Sequence, residues 1–174
     1  MNNATELCHK IREQFSSAPF PRHCGLHAAM AMDDWITDEK TLKEITERED
    51  YAGSWWDVPR GHLHNCMMAL SYLDAAGINF YLPAYMTAII EKPSDFDKPR
   101  EYASSWQILF TMLPEDNDPE LSDYFQERFS EIRGERKDVC REFLCYVKDC
   151  ELYDEHARSI ANKALASNFW IASN

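Results

Sequence analysis

A chain of 174 residues with 45% apolar and 13% aromatic side chains suits one domain around one core, which excludes disorder as its default state. Thirty acids against eighteen Lys and Arg give a formal net charge of −12, a field that repels nucleic acid and anionic membrane and draws basic proteins in. No stretch reaches the ~20 apolar residues of a membrane span. The charged start through Glu6, Lys10, Arg12 and Glu13 lacks the apolar run of a secretory signal, so a cytoplasmic protein is expected.

With only three valines (Val58, Val139, Val147) and no sustained apolar–polar alternation, strands are not expected. Leu7, Ile11 and Phe15 predict a first helix, capped at Asn3 or Thr5 and ended before Pro19 and Pro21. A short apolar helix follows from about Leu26 to Trp35. Thr37 or Asp38 then caps a charged helix carrying Leu42 and Ile45. Ser54-Trp55-Trp56-Asp57 has the form of a capping box, and a helix is expected from about Pro59 to Leu73, with Gly77 ending that unit. The stretch from Ile78 to Ile90 is the most apolar, and Pro83 within it predicts a helix that begins or kinks there.

Pro93 and Pro99 frame a loop, the candidate hinge, and Pro99 suits the first turn of a helix reaching Met112. Asp118-Pro119 is a cap followed by a first-turn proline. Gly134 then divides that helix from two C-terminal ones, near Glu135 to Cys150 and Tyr153 to Phe169. The expected fold is all-α, a single-domain bundle of about eight helices over residues 1–174.

Few of the residue patterns that mark catalysis are present. His23 and His27 are four apart, as in helical zinc pairs. However, Pro21 puts His23 at a helix start, no H-E-x-x-H follows and no third ligand is in view. His62 and His64 fall on different helix faces. Neither a nucleophile elbow nor a phosphate-binding glycine loop occurs, so no catalytic residue, metal or cofactor is assigned. Cys8, Cys24, Cys66, Cys140, Cys145 and Cys150 contain no C-x-x-C and read as reduced thiols, mostly buried. Val139, Cys140, Phe143, Leu144, Val147 and Cys150 form one apolar stripe. Cys145 lies opposite it and is expected at the surface.

The helix from Asp118 to Ile132 carries the sharper pattern. Leu121, Phe125, Phe129 and Ile132 make its buried stripe, and Glu120, Asp123, Glu127 and Glu131 a second one roughly 150° away. Glu115, Asp116 and Asp118 extend the charge upstream, and Arg128 alone opposes it between Glu115 and Glu131. Like charges four apart cost about 0.2–0.5 kcal/mol per pair, as at Asp123–Glu127 and Glu127–Glu131. The stripe is either an ordinary solvated face or a partner surface. Of Trp55 and Trp56, neighbours that point apart, one is expected in the core and the other is a candidate interface anchor.

Trp56-Asp57-Val58, a following amphipathic helix that ends in Leu70-Ser71-Tyr72-Leu73, and Phe80-Tyr81-Leu82-Pro83-Ala84-Tyr85-Met86 together resemble an uncharacterised family of small acidic bacterial proteins, over roughly Trp55 to Ile90. Some of these resemble immunity proteins encoded beside secreted toxins, including nuclease effectors of type VI secretion. The resemblance implies a protein that neutralises a toxin with a basic surface by stoichiometric binding. Glu120, Asp123, Glu127, Glu131, Asp116, Trp55 and Trp56 would then be the partner-binding residues. Two alternatives stand beside it: a helical enzyme with a metal or thiol site involving His23, His27 or a cysteine, and a helical adaptor.

Overall fold

The computed structural model describes residues 3–95 and 105–171, and among these the fold is all-α. The helices are α1 (Asn3–Gln14), α2 (Leu26–Asp33), α3 (Glu39–Glu49), α4 (Arg60–Asn65), α5 (Ala75–Glu91), α6 (Ser105–Thr111), α7 (Pro119–Arg128), α8 (Glu135–Asp149) and α9 (Glu155–Leu165). Among the described residues there are also three 3₁₀ segments, Trp55–Asp57, Met67–Ser71 and Pro93–Asp95. No helix among the described residues is long and apolar enough to cross a membrane.

α5 is the axis of the molecule. Every residue from Gly77 to Met86 is buried, so this helix is covered on all sides, with α1, α4, α6 and α7 packed against it. Asp74 caps it by accepting the Gly77 N–H at 2.8 Å. Gly77 therefore sits in the first turn of α5 and does not end the preceding unit. A Cβ there would lie 2.7 Å from the Leu73 side chain, so the close return of the chain requires glycine. Pro83 neither starts nor stops α5, which runs on to Glu91. Tertiary burial offsets the bond that Pro83 withholds from the Asn79 carbonyl.

The expected helix from Pro59 to Leu73 is two pieces. The chain leaves helical geometry at Cys66 (φ −116°), between α4 and the Met67–Ser71 segment. Side chains from distant elements bind carbonyls of this region. Tyr85 donates to the Cys66 carbonyl at 2.9 Å, and the buried Arg128 donates to the carbonyls of Leu70 and Leu73. Ser54 makes no side-chain cap, and the Trp55–Asp57 segment is one 3₁₀ turn rather than a helix start.

Elsewhere the caps fall where the residue types put them. Asp38 accepts the Thr41 N–H, Asp118 those of Glu120 and Leu121, and Asp154 that of Ala157. Leu7 and Ile11 of α1 and Phe15 just after it are buried against the core, as are Val139, Cys140, Phe143, Leu144 and Val147 of α8. Arg136 binds α8 to the end of α1 and to α5, through the Gln14 carbonyl at 3.1 Å and Asn79 Oδ1 at 2.9 Å. Trp170 closes the far end by donating to the Met112 carbonyl at 2.7 Å. Pro99 and the expected start of its helix lie outside the described residues; α6 is described from Ser105. Just beyond α2, Trp35 adopts a left-handed backbone (φ 64°) with its ring 90% exposed.

Candidate functional site

α7 lies at the edge of the bundle and packs by its C-terminal half. Phe125, Phe129 and Ile132 are buried, and Phe125 and Phe129 stack at 4.3 Å. Leu121, expected in the same buried stripe, is instead 51% exposed, because α7 leaves the core before its first turn. Glu120, Asp123 and Glu127 face solvent along α7, with Asp116 exposed upstream and Glu131 exposed just past the helix end. Since α7 stops at Arg128, the Asp123–Glu127 pair is a helical like-charge pair and Glu127–Glu131 is not.

Arg128, the basic residue that seemed to oppose this charge, is turned inward. It is buried, its guanidinium serves the Leu70 and Leu73 carbonyls, and it lies 5.1 Å from the Tyr124 ring. Among the described residues no acid from Glu115 to Glu131 joins an ion pair. α3 shows the contrast, with Lys40–Glu44 and Lys43–Glu47 paired one turn apart. The acidic face is thus uncompensated. Beside it runs a cleft of about 300 Å³ between α6 and α7, lined by Phe110, Leu113, Leu121 and Tyr124, by Glu115, and on its inner wall by the buried Arg128. Phe110 is 60% and Tyr124 46% exposed, and the Tyr124 hydroxyl is fixed on the Ser71 carbonyl at 2.9 Å.

The tryptophan pair lies elsewhere. Trp55 is 1% exposed and donates to the Phe15 carbonyl at 2.9 Å, which removes it from the partner-binding candidates. Trp56 is half-buried under the Arg12 guanidinium, 4.7 Å from its ring centroid. It lines a second cleft with Cys8, Arg60 and Glu91, and so does not join the acidic face.

A third constellation comes from three separate segments. His27 stands in the first turn of α2, Asp50 immediately follows α3, and His62 is on α4. His27 Nδ1 and Asp50 Oδ1 are 2.8 Å apart, and the His27 backbone N–H also donates to Oδ1, at 3.2 Å. The His27 and His62 rings meet edge to face with centroids 4.7 Å apart. Asp50 Oδ2 and His62 Nδ1 are buried without a hydrogen-bond partner. Gly25, the N-cap of α2, makes this approach possible: a Cβ on it would sit 2.1 Å from Asp50 Oδ2. His23 is exposed before α2 begins, so it shares no helix face with His27. No local spacing links His27 to Asp50 or His62, so in the sequence His62 pairs only with His64 and Asp50 carries no signal. The unusual Gly25 just before a helix was the available sign of a close approach.

Two thiols flank this cluster. Burial, then the charges of Asp74 and Asp50, pushes Cys24 up to about 11. Burial, then Asp50 and Glu49, pushes Cys66 up to about 12. Both stay protonated at neutral pH and are poor nucleophiles. Cys140 is fully buried as the stripe required, and Cys145 is half-buried beside the α1–α8 cleft rather than fully at the surface.

The chain belongs to a family of unknown function, DUF6714, whose model matches residues 3–174. No curated protein and no solved structure matches it. Membership covers nearly the whole chain and brings no activity with it.

Proposed function

We propose that the protein acts by stoichiometric binding of a basic protein, and that this partner is a toxin which it neutralises. The observation that carries the reading is the uncompensated acidic face of α7 lying beside an exposed aromatic cleft. Charge and apolar surface have different tasks there. Glu120, Asp123, Glu127 and Glu131, with Asp116, steer a basic surface in and mainly raise the association rate. Phe110, Leu121 and Tyr124 supply the desolvated contact that holds it, the role aromatic anchors play at interfaces. Trp56 lines a different cleft and is set aside.

The test uses as partner the product of a neighbouring gene, purified separately. Association is expected to slow as salt rises, since the Debye length is only ~8 Å at physiological ionic strength. A Glu127→Lys, Glu131→Lys variant is expected to associate more slowly, keep its dissociation rate and melt like the parent. Phe110→Ser is expected to dissociate faster instead. Unchanged rates in both variants would place the interface elsewhere and sink the proposal.

A further inference from the structure

We propose that His27, Asp50 and His62 form a binding site for one divalent transition-metal ion of the zinc class. Two imidazoles and one carboxylate are the ligand set that such ions take when three positions come from protein and a further one stays open. One ligand atom from each residue lies within 4.8 Å of the others. A tetrahedral ion with bonds of about 2.0–2.1 Å holds its ligands about 3.3 Å apart. The three groups therefore stand slightly open around a space of the right size, and rotation of the two half-buried imidazoles closes it.

The independent sign of a ligand is what the cluster leaves unpaired. The Asp50 side chain is 1% exposed, yet its Oδ2 accepts no hydrogen bond, and the buried Nδ1 of His62 has no partner either. Buried polar atoms nearly always find a partner, so two orphans in one cluster of metal-ligating residues point to a missing third party. The local charge has the matching sign. Asp50, Glu49 and Asp74 all lie near enough to raise the neighbouring thiols Cys24 and Cys66, so a dication enters a negative field. His27 keeps 24% of its side chain exposed, which provides the entry path and leaves the open coordination position to water. Binding would replace the His27–Asp50 hydrogen bond by two metal bonds and clip α2, the end of α3 and α4 together.

The experiment takes the full chain after chelator treatment and titrates it with Zn²⁺ by calorimetry and with Co²⁺ by visible absorption. One ion per chain is expected, with an intense Co²⁺ spectrum of low coordination number and a melting temperature that rises with Zn²⁺. His62→Phe preserves the ring packing against His27 and is expected to bind about 100-fold more weakly or not at all, at least the loss seen when outer-sphere partners are removed. An absence of stoichiometric binding, or unchanged affinity in His62→Phe, overturns the proposal. Cadmium-113 resonance of the parent protein reads the ligands without any variant. A shift in the nitrogen–oxygen range supports the site, and one in the thiolate range overturns it.

Discussion

Alanine at Gly25 and alanine at Gly61 change the chain by the same single methyl group and should move its stability in opposite directions. At Gly25 the new Cβ would lie 2.1 Å from Asp50 Oδ2 and 2.5 Å from its Cγ, so the carboxylate must withdraw. Withdrawal breaks the hydrogen bond from the His27 N–H at 3.2 Å and the contact with His27 Nδ1 at 2.8 Å. Hydrogen bonds to a charged group contribute about 1.5–3 kcal/mol each, and part of that returns as the freed groups find water, leaving a loss of about 3 kcal/mol. The backbone of Gly25 (φ −89°) is open to any residue, so the effect is steric and not conformational. At Gly61, inside α4, a Cβ meets nothing within 4 Å. Alanine there gains about 0.5–1 kcal/mol of helix propensity. For a chain of this size 1 kcal/mol moves the midpoint by about 2–4 °C. Thermal melts followed by circular dichroism in chelator should show Gly25→Ala lower by about 6–12 °C and Gly61→Ala higher by about 1–4 °C. A Gly25→Ala protein that melts with the parent would refute the claim that Asp50 is wedged against this glycine.

Two further outcomes are expected. Trp170→Phe keeps an aromatic ring beside Phe129 and Phe169 but strips the buried Met112 carbonyl of its 2.7 Å donor; urea unfolding should show a loss of about 1–3 kcal/mol, and an unchanged midpoint would mean that water replaces the indole. Mass-resolved alkylation of the native protein at neutral pH should modify Cys145 well before Cys140, and the reverse order would contradict the packing of α8. The same experiment carries a pH arm. Cys24 and Cys66 are raised on folding from an ordinary 9.0 to about 11 and about 12, so they favour the folded state below pH 9 and lose that contribution as pH climbs through 11 to 12. Their labelling should therefore rise only in that alkaline range.

Periodicity and capping were legible because they are local. Leu7, Ile11 and Phe15 sit four apart on one face, and Asp38 and Asp118 cap within three residues of themselves, so no distant partner is needed to read them. The break at Cys66 was not legible. It goes with the Tyr85 hydroxyl, which reaches the Cys66 carbonyl from 19 residues away, while Arg128 binds the Leu70 and Leu73 carbonyls at the end of the segment. Pro83 does not begin α5, because burial on all sides holds together a helix that proline would weaken if it were exposed. The acidic stripe was visible as composition, but its lack of compensation was not. That rests on Arg128 facing inward, which is decided by how far along α7 the packing reaches. The His27, Asp50 and His62 cluster was wholly tertiary, assembled from three elements that no spacing connects.

The inward turn of Arg128 also separates two kinds of inheritance in this molecule. The guanidinium is tied to backbone carbonyls, so it secures the α7 attachment whatever side chains occupy the outer face. Glu127 and Glu131 make no ion pair among the described residues, and Asp123 and Glu120 make none either. Substitutions at these four positions break no internal salt bridge, and exposed changes of that kind move stability by about 0.5 kcal/mol or less. Descendants of this sequence can therefore redraw the charge pattern of α7 generation by generation while α5 and its wrapping helices stay fixed.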